Sequence, residues 1–278
     1  MSFKILFMGT PNFAVPILKS LYKSNHKILE VYTQPPKKKN RGQKISFSPI
    51  HNYSNEEKIP VRFPSVLDTQ EEFEYIKKLK PDIVIVVAYG KILPSNFIEI
   101  ENTLFINVHA SLLPKWRGAA PIQRAIMNLD NKTGISIMRI VPKLDAGPVL
   151  LKSVIGITKE TNYEELSDQM SKLGAKLILE ALELIERKEA KFIPQDEKDA
   201  TYAKKIEKVE SKINWNLDAK SIIGKINALH PNPGSWFELK GSRIKVIKAT
   251  EVDKKGPPGE IINKNFTIAC AQNSIQIL

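Results

Sequence analysis

At 278 residues, 42% hydrophobic and 26% charged, the chain is expected to be a soluble globular protein of one large or two moderate domains. No run approaches the roughly 18 to 20 apolar residues a membrane helix needs, and the single cysteine, Cys270, excludes an intrachain disulfide and any cysteine-based zinc site. Lys plus Arg outnumber Asp plus Glu by 42 to 30, and the resulting charge of +12 and pI near 9.5 fit a nucleic-acid partner and equally a lysine-rich composition with none.

The first expected strand, "FKILFM", stops at a Gly-Thr-Pro turn with no small-residue cleavage site. It reads as a buried strand and not as a signal peptide, so the cytoplasm is the expected compartment. The next stretch, "GTPNFAVPIL", stands where a dinucleotide-binding protein carries its glycine loop, yet it offers only Gly9 followed by Pro11 and Pro16. Without G-x-G-x-x-G, a dinucleotide cofactor is not expected. After the second strand, "KILEVYT", the loop "TQPPKKKNRGQKISFSP" gathers Lys37, Lys38, Lys39, Arg41 and Lys44 with no acid among them. Such a run is usually solvated charge; here Pro35, Pro36 and Gly42 stiffen and hinge it just past a strand end, in reach of a bound polyanion.

"IPVRF" is a third strand, and "TQEEFEYIKKLK" a helix opened by a capping box of Thr69 with Glu72. "PDIVIVVAY" is apolar nearly throughout, as a central strand covered on both faces must be. "LFINVHA" and "GISIMRIV" complete an alternation of apolar runs and helical periodicity that marks an α/β domain with a mainly parallel sheet. Within "LFINVHA", Asn107 and His109 are two apart and so share a strand face. The strand ends right after them, and ligands of open α/β sheets bind beyond the carboxyl ends of strands. A second polar group, Asp145 of "PKLDAGPVLL", follows the next strand, where a carboxylate can orient an imidazole and support its protonated form. Trp116 and Arg117, beside Gly118, read as packing support for the turn.

A second capping box, Thr161 with Glu164, opens the longest helix. Beyond it the texture turns polar and aperiodic, as a linker would. From about Ile213 a helix, "DAKSIIGKINAL", precedes short alternating strands with Gly-containing turns, consistent with a small β-barrel. Lys204 to Leu278 carries thirteen Lys plus Arg against seven Asp plus Glu, which suits a nucleic-acid platform.

Taken together, "GTPNFAVPIL", "VVAYGKILP", "INVHASLLPKWRGAAPIQRAI" and "LDAGPVL" resemble the methionyl-tRNA formyltransferases over nearly the whole chain. The resemblance implies a Rossmann-like α/β catalytic domain over 1–188, a linker over 189–205 and an OB-like barrel over 206–278. It implies formyl transfer from 10-formyltetrahydrofolate to the α-amine of methionyl-initiator-tRNA. Asn107, His109 and Asp145 would be the catalytic trio. Ser111, Leu112, Leu113 and Pro114 match the folate loop, and Val87, Ala88, Tyr89 and Gly90 the wall of the pterin pocket. The basic residues Lys37, Lys38, Lys39, Arg41 and Lys44 would meet tRNA, Arg41 at its acceptor end. No metal, no membrane association and a monomer are expected. The family normally continues past the barrel strand with a Gln-Pro, Gly-Lys and Phe-Leu-rich tail, whereas this sequence halts at Leu278, which leaves two readings, a shortened barrel or a tail beyond Leu278. Two other readings remain open at this stage: a formyltransferase for a small amine such as an amino sugar nucleotide, and a non-catalytic RNA-binding α/β protein.

Overall fold

A computed structural model describes residues 2–39 and 44–278. Arg41 lies outside the described residues, as do the side chains of Lys38, Lys39 and Lys44.

The centre is a seven-stranded sheet. Its strands are β1 (Lys4–Gly9), β2 (Lys27–Tyr32), β3 (Val61–Arg62), β4 (Ile83–Val87), β5 (Leu104–His109), β6 (Lys132–Arg139) and β7 (Val149–Gly156). They lie in the order β7-β6-β5-β4-β1-β2-β3. The pairings β3 to β2, β2 to β1, β1 to β4 and β4 to β5 are parallel, while β6 runs antiparallel to β5. Every residue of β4 is buried, and Ile5 to Met8 of β1 have no exposure. Each such side chain contributes about 1.5–3 kcal/mol of burial, which explains why the middle of the sheet is written in Ile and Val with no polar alternation. Leu6, Met8, Val84, Val86 and Phe105 pack with Ile76 and Phe97 from the covering helices.

The helix Gln70–Leu79 starts as expected, with the Thr69 hydroxyl accepting the Glu72 N–H at 3.2 Å. The other half of the capping box is absent. The buried Glu72 carboxylate takes the Tyr32 hydroxyl at 2.9 Å and Arg62 Nε at 2.9 and 3.1 Å, a charge-assisted pairing stronger than a return bond to the cap. The long helix Tyr163–Glu186 begins one residue later than its sequence suggests. Thr161 is occupied by the Thr158 turn at 2.9 Å, and Asn162 Oδ1 caps the Glu165 N–H at 3.0 Å.

Two compact units emerge from the chain: Met1–Arg117, Gly134–Val154 and Asp168–Thr201 form one, and Gly118–Thr133, Ile155–Ser167 and Tyr202–Leu278 the other. The first holds most of the sheet. In the second, the helix Ala219–Leu229 is capped by Asp218, which accepts the Ser221 N–H at 2.8 Å. Gly224 of that helix lets the Pro121–Met127 helix approach closely, with the Ile126 carbonyl only 3.2 Å from where a Cβ would stand. The strands of this unit are short and antiparallel. Ser235–Leu239 pairs with Ser242–Val246, and Ser274–Ile277 lies between Ala249–Val252 and Thr267–Ala269. Ile222, Ile226, Phe237, Ile268 and Ile275 fill its core together with Cys270, whose thiol burial pushes up to about 11.

Candidate active site

The carboxyl ends of β1, β4 and β5 lie side by side, because these strands are parallel neighbours. Asn107 pairs with Met138 across the sheet and His109 with Ser136, so both project from one face of β5 at its last turn of pleat. Asp145 does not arrive from a parallel strand end. Since β6 runs antiparallel to β5, its carboxyl end at Arg139 pairs with Ile106, and the chain must fold back to bring Asp145 to the rim. Gly147 makes the reversal possible: a Cβ there would collide with the Arg139 carbonyl oxygen.

The trio converges. Asn107 Nδ2 donates to Asp145 Oδ1 at 3.4 Å, and His109 Nδ1 stands 3.6 Å from Asp145 Oδ2. His109 is 5% exposed, so its ring is held in place by its packing and hydrogen bonds. Its other nitrogen, Nε2, is 3.0 Å from the Trp116 carbonyl oxygen. A carbonyl only accepts, so Nε2 carries the hydrogen in that contact, and Nδ1 is the nitrogen facing Asp145.

The segment Ser111–Pro114 leaves the end of β5 and is pinned through its backbone. The Ser136 hydroxyl donates to the Ser111 carbonyl at 2.7 Å and accepts the Leu113 N–H at 3.1 Å. Ser111 Oγ donates to the Lys115 carbonyl at 2.6 Å, and Lys152 Nζ holds the Leu113 carbonyl. The Leu113 side chain is core, packed with Met138 and Val149. Leu112 and Pro114 are half-buried and are the two of the four side chains with surface to offer.

Val87 ends β4 in the core, and Ala88 and Gly90 then adopt left-handed backbone, φ 46° and 81°, leaving both exposed. Tyr89 between them turns inward to 1% exposure, and burial raises its hydroxyl above the ordinary tyrosine value. Its carbonyl accepts the Thr10 hydroxyl at 2.8 Å and Gln34 Nε2 at 3.2 Å, and Gln34 also reaches the Gly90 carbonyl at 3.1 Å. Gln34 Oε1 in turn accepts Lys37 Nζ at 2.9 Å. The base of the basic loop is thus tied to the rim, and its arms, Lys37–Lys39 and Lys44–Ser46, pair as an antiparallel hairpin.

Four contributors carry no local signal: Ser136, Lys152, Gln34 and Gln195, whose Nε2 donates to the Asp145 and Gly147 carbonyls at 2.8 and 2.7 Å. Each acts on a partner far along the chain. Ser136 had one available hint, its position opposite His109 if the strands are paired in register. Among the described residues no group of three or more His, Cys, Asp and Glu is placed to hold a metal ion, and no helix is long and apolar enough to cross a membrane.

The fold is that of the formyl transferases. The family model for formyl transferases matches residues 3–182, and that for the formyl transferase carboxyl-terminal domain matches residues 205–278. Three curated relatives are methionyl-tRNA formyltransferases. The one from Pelagibacter ubique is 52% identical over 280 residues, covering 100% of this chain and 90% of its own length. That of Sulfurihydrogenibium sp. is 47% identical, covering 93% and 84%, and that of Coxiella burnetii 42%, covering 100% and 90%. The chain belongs to the methionyl-tRNA formyltransferase family. Solved structures show the same fold at lower identity. The N-formyltransferase of Helicobacter canadensis, in complex with folinic acid and dTDP-3-aminofucose, superposes with a TM-score of 0.75 at 20% identity, covering 99% of this chain and 98% of its own. HypX of Aquifex aeolicus in complex with tetrahydrofolic acid gives 0.69 at 19%, covering 100% and 44%. A sugar-amine substrate is supported only by likeness of fold, and a non-catalytic protein by nothing in these matches.

Proposed function

We propose that the chain transfers the formyl group of 10-formyltetrahydrofolate to the α-amine of methionine esterified to initiator tRNA, with Asn107, His109 and Asp145 as the catalytic trio. The observation that carries the chemistry is the convergence of an amide, an imidazole and a carboxylate within 3.4 and 3.6 Å at the sheet's rim.

The amine nitrogen attacks the formyl carbon, a C–N bond forms, and negative charge develops on the former carbonyl oxygen. An amide NH₂ has two hydrogens. One from Asn107 is engaged by Asp145, and the other serves the oxyanion, a contact whose loss costs about 2.7–4 kcal/mol of barrier in comparable sites. The proton leaving the amine goes to His109 Nδ1, the nitrogen facing Asp145, and Asp145 supports the imidazolium formed. As the bond from the carbon to N10 breaks, that proton is delivered to N10, so the ring ends neutral. No metal is called on.

The Ser111–Pro114 backbone, with Leu112 and Pro114, and the exposed turn at Ala88 and Gly90 would hold the folate. Lys37, Lys38, Lys39, Arg41 and Lys44 would meet the acceptor end of the tRNA, using a hairpin anchored through Gln34. Residues 1–188 would carry the chemistry, with 189–205 leading to a basic carboxyl-terminal region, 206–278, that supplies phosphate contacts for the tRNA body. A cytoplasmic monomer suits these substrates. The test is incubation with 10-formyltetrahydrofolate and either methionyl-initiator-tRNA or an amino sugar nucleotide. Formyl-methionine on tRNA is expected; formylation of the sugar alone would overturn the reading.

A further inference from the structure

Asp145 is held from outside its own loop. Its backbone sits at φ 47°, a left-handed conformation that a non-glycine residue keeps only where its surroundings fix it. Gln195, from the segment after the long helix, supplies the fixing bonds, 2.8 Å to the Asp145 carbonyl and 2.7 Å to that of Gly147. A side-chain amide has donors on one arm and an acceptor on the other, and the two orientations have nearly the same shape. Arg117 decides between them. Its Nε and Nη2 donate to Gln195 Oε1 at 3.1 and 2.9 Å, and since a guanidinium cannot accept, the Gln195 NH₂ must face the Asp145 loop. Arg117 is itself fully buried and immobilised. Its Nη1 and Nη2 donate to Glu197 at 3.1 and 3.0 Å, and Glu197 also takes Lys143 at 2.7 Å. The residue before Arg117 is Trp116, whose carbonyl accepts from His109 Nε2. One dipeptide therefore holds the imidazole with its backbone and, through Gln195, the carboxylate-bearing loop with its side chain.

We propose that Gln195, oriented by Arg117, is a positioning residue for formyl transfer: it fixes the Asp145 backbone so that the carboxylate faces Asn107 and His109. This rests on the functional reading above and extends it to the group that keeps the trio assembled. Misplacing a catalytic group by about 1 Å costs on the order of 100-fold in rate, so loss of the two bonds should be felt in turnover and little in substrate binding.

Two variants test it. Gln195→Met keeps length and volume without a donor, and Gln195→Glu keeps an acceptor for Arg117 but sets a carboxylate against two carbonyls. Each is made alone and in an Asp145→Ala background. Transfer rates and KM for both substrates are measured per folded molecule, with the folded fraction taken from thermal unfolding. In the wild-type background both variants are expected to lose about ten-fold or more in kcat, with either KM changed by less than about two-fold. In the Asp145→Ala background the same substitutions should cost less than about two-fold, because the residue they act through is gone. Wild-type kcat in a folded variant, or the same loss in both backgrounds, would overturn the proposal. Should Gln195→Met not fold, Gln195→Glu, which retains the Arg117 pairing, carries the test alone. A wild-type chain that formylates no methionyl-tRNA would count against the functional reading, an outcome separate from any variant's.

Discussion

The backbone carbonyl of Trp116, 3.0 Å from His109 Nε2, accepts a hydrogen bond from that nitrogen and so distinguishes the two ring nitrogens of His109. In the neutral ring, ¹⁵N NMR should find the hydrogen on Nε2 and a bare Nδ1; the reverse tautomer would contradict the assignment. Glu197 gives a second prediction at this scale. Bonds from Arg117 and Lys143 hold its carboxyl down to about 2. The folded value lies below the roughly 4.3 of a free glutamate, so its contribution to stability is complete above the free value and is lost as the pH falls toward 2. Glu197→Gln should therefore lower the melting temperature at pH 7 and make little difference near pH 2. An equal effect at both pH values would rule out that linkage. Asn107 and His109 stand out in the sequence, because two polar residues at period two on an apolar strand are conspicuous, whereas the Asp-Ala-Gly turn of Asp145 is by itself a weak signal. Trp116 and Arg117 do not stand out: a carbonyl leaves no mark on residue identity, and the partners of Arg117 lie 78 and 80 residues away.

At the scale of elements, Asp145 reaches the trio only because the chain reverses at Gly147. Gly147→Ala should force that loop outward, with a stability loss of about 1–3 kcal/mol and a larger proportional loss of turnover, read by thermal melts and initial rates. A variant with both unchanged would mean the loop has slack the structure does not show. The strands of the sheet were readable where burial is complete, as in β4, since full burial on both faces leaves a continuous apolar run. β7 was missed: its buried start merges with the Gly-Pro turn, and from Leu151 onward its exposure alternates among mostly apolar residues. The helices Val15–Tyr22 and Pro49–Glu56 were missed too, the first because prolines bracket its start and the second because eight largely polar residues carry a weak period. The capping signals at Thr69 and Thr161 found the right ends of two helices. Their details differ because Glu72 and Thr161 have stronger partners elsewhere.

Over the whole molecule, a single linker over 189–205 is the simplest reading of the sequence's change of texture, and the family models also divide between residues 182 and 205. Contacts interleave the chain instead, with 118–133 and 155–167 packing in the same unit as the carboxyl-terminal strands. The cause is a helix pairing, Pro121–Met127 on Ala219–Leu229, which no local pattern announces. The charge of +12 is a property at this scale as well. Affinity for tRNA should fall with salt with a log-log slope of about −0.7 to −0.9 per phosphate neutralised, and replacing Lys37 and Arg41 by Ala should flatten that slope by about one such step each. A slope unaffected by both changes would make the hairpin a solvated charge run.

The most direct measurement is the single-turnover rate of formyl transfer to methionyl-initiator-tRNA, at saturating 10-formyltetrahydrofolate, for the wild-type chain against Asn107→Ala, His109→Ala and Asp145→Asn. A fall of about 100-fold or more in each, with tRNA affinity unchanged, is the expected result. Wild-type rates in the Asn107 and His109 variants would remove the rim-side trio from the chemistry.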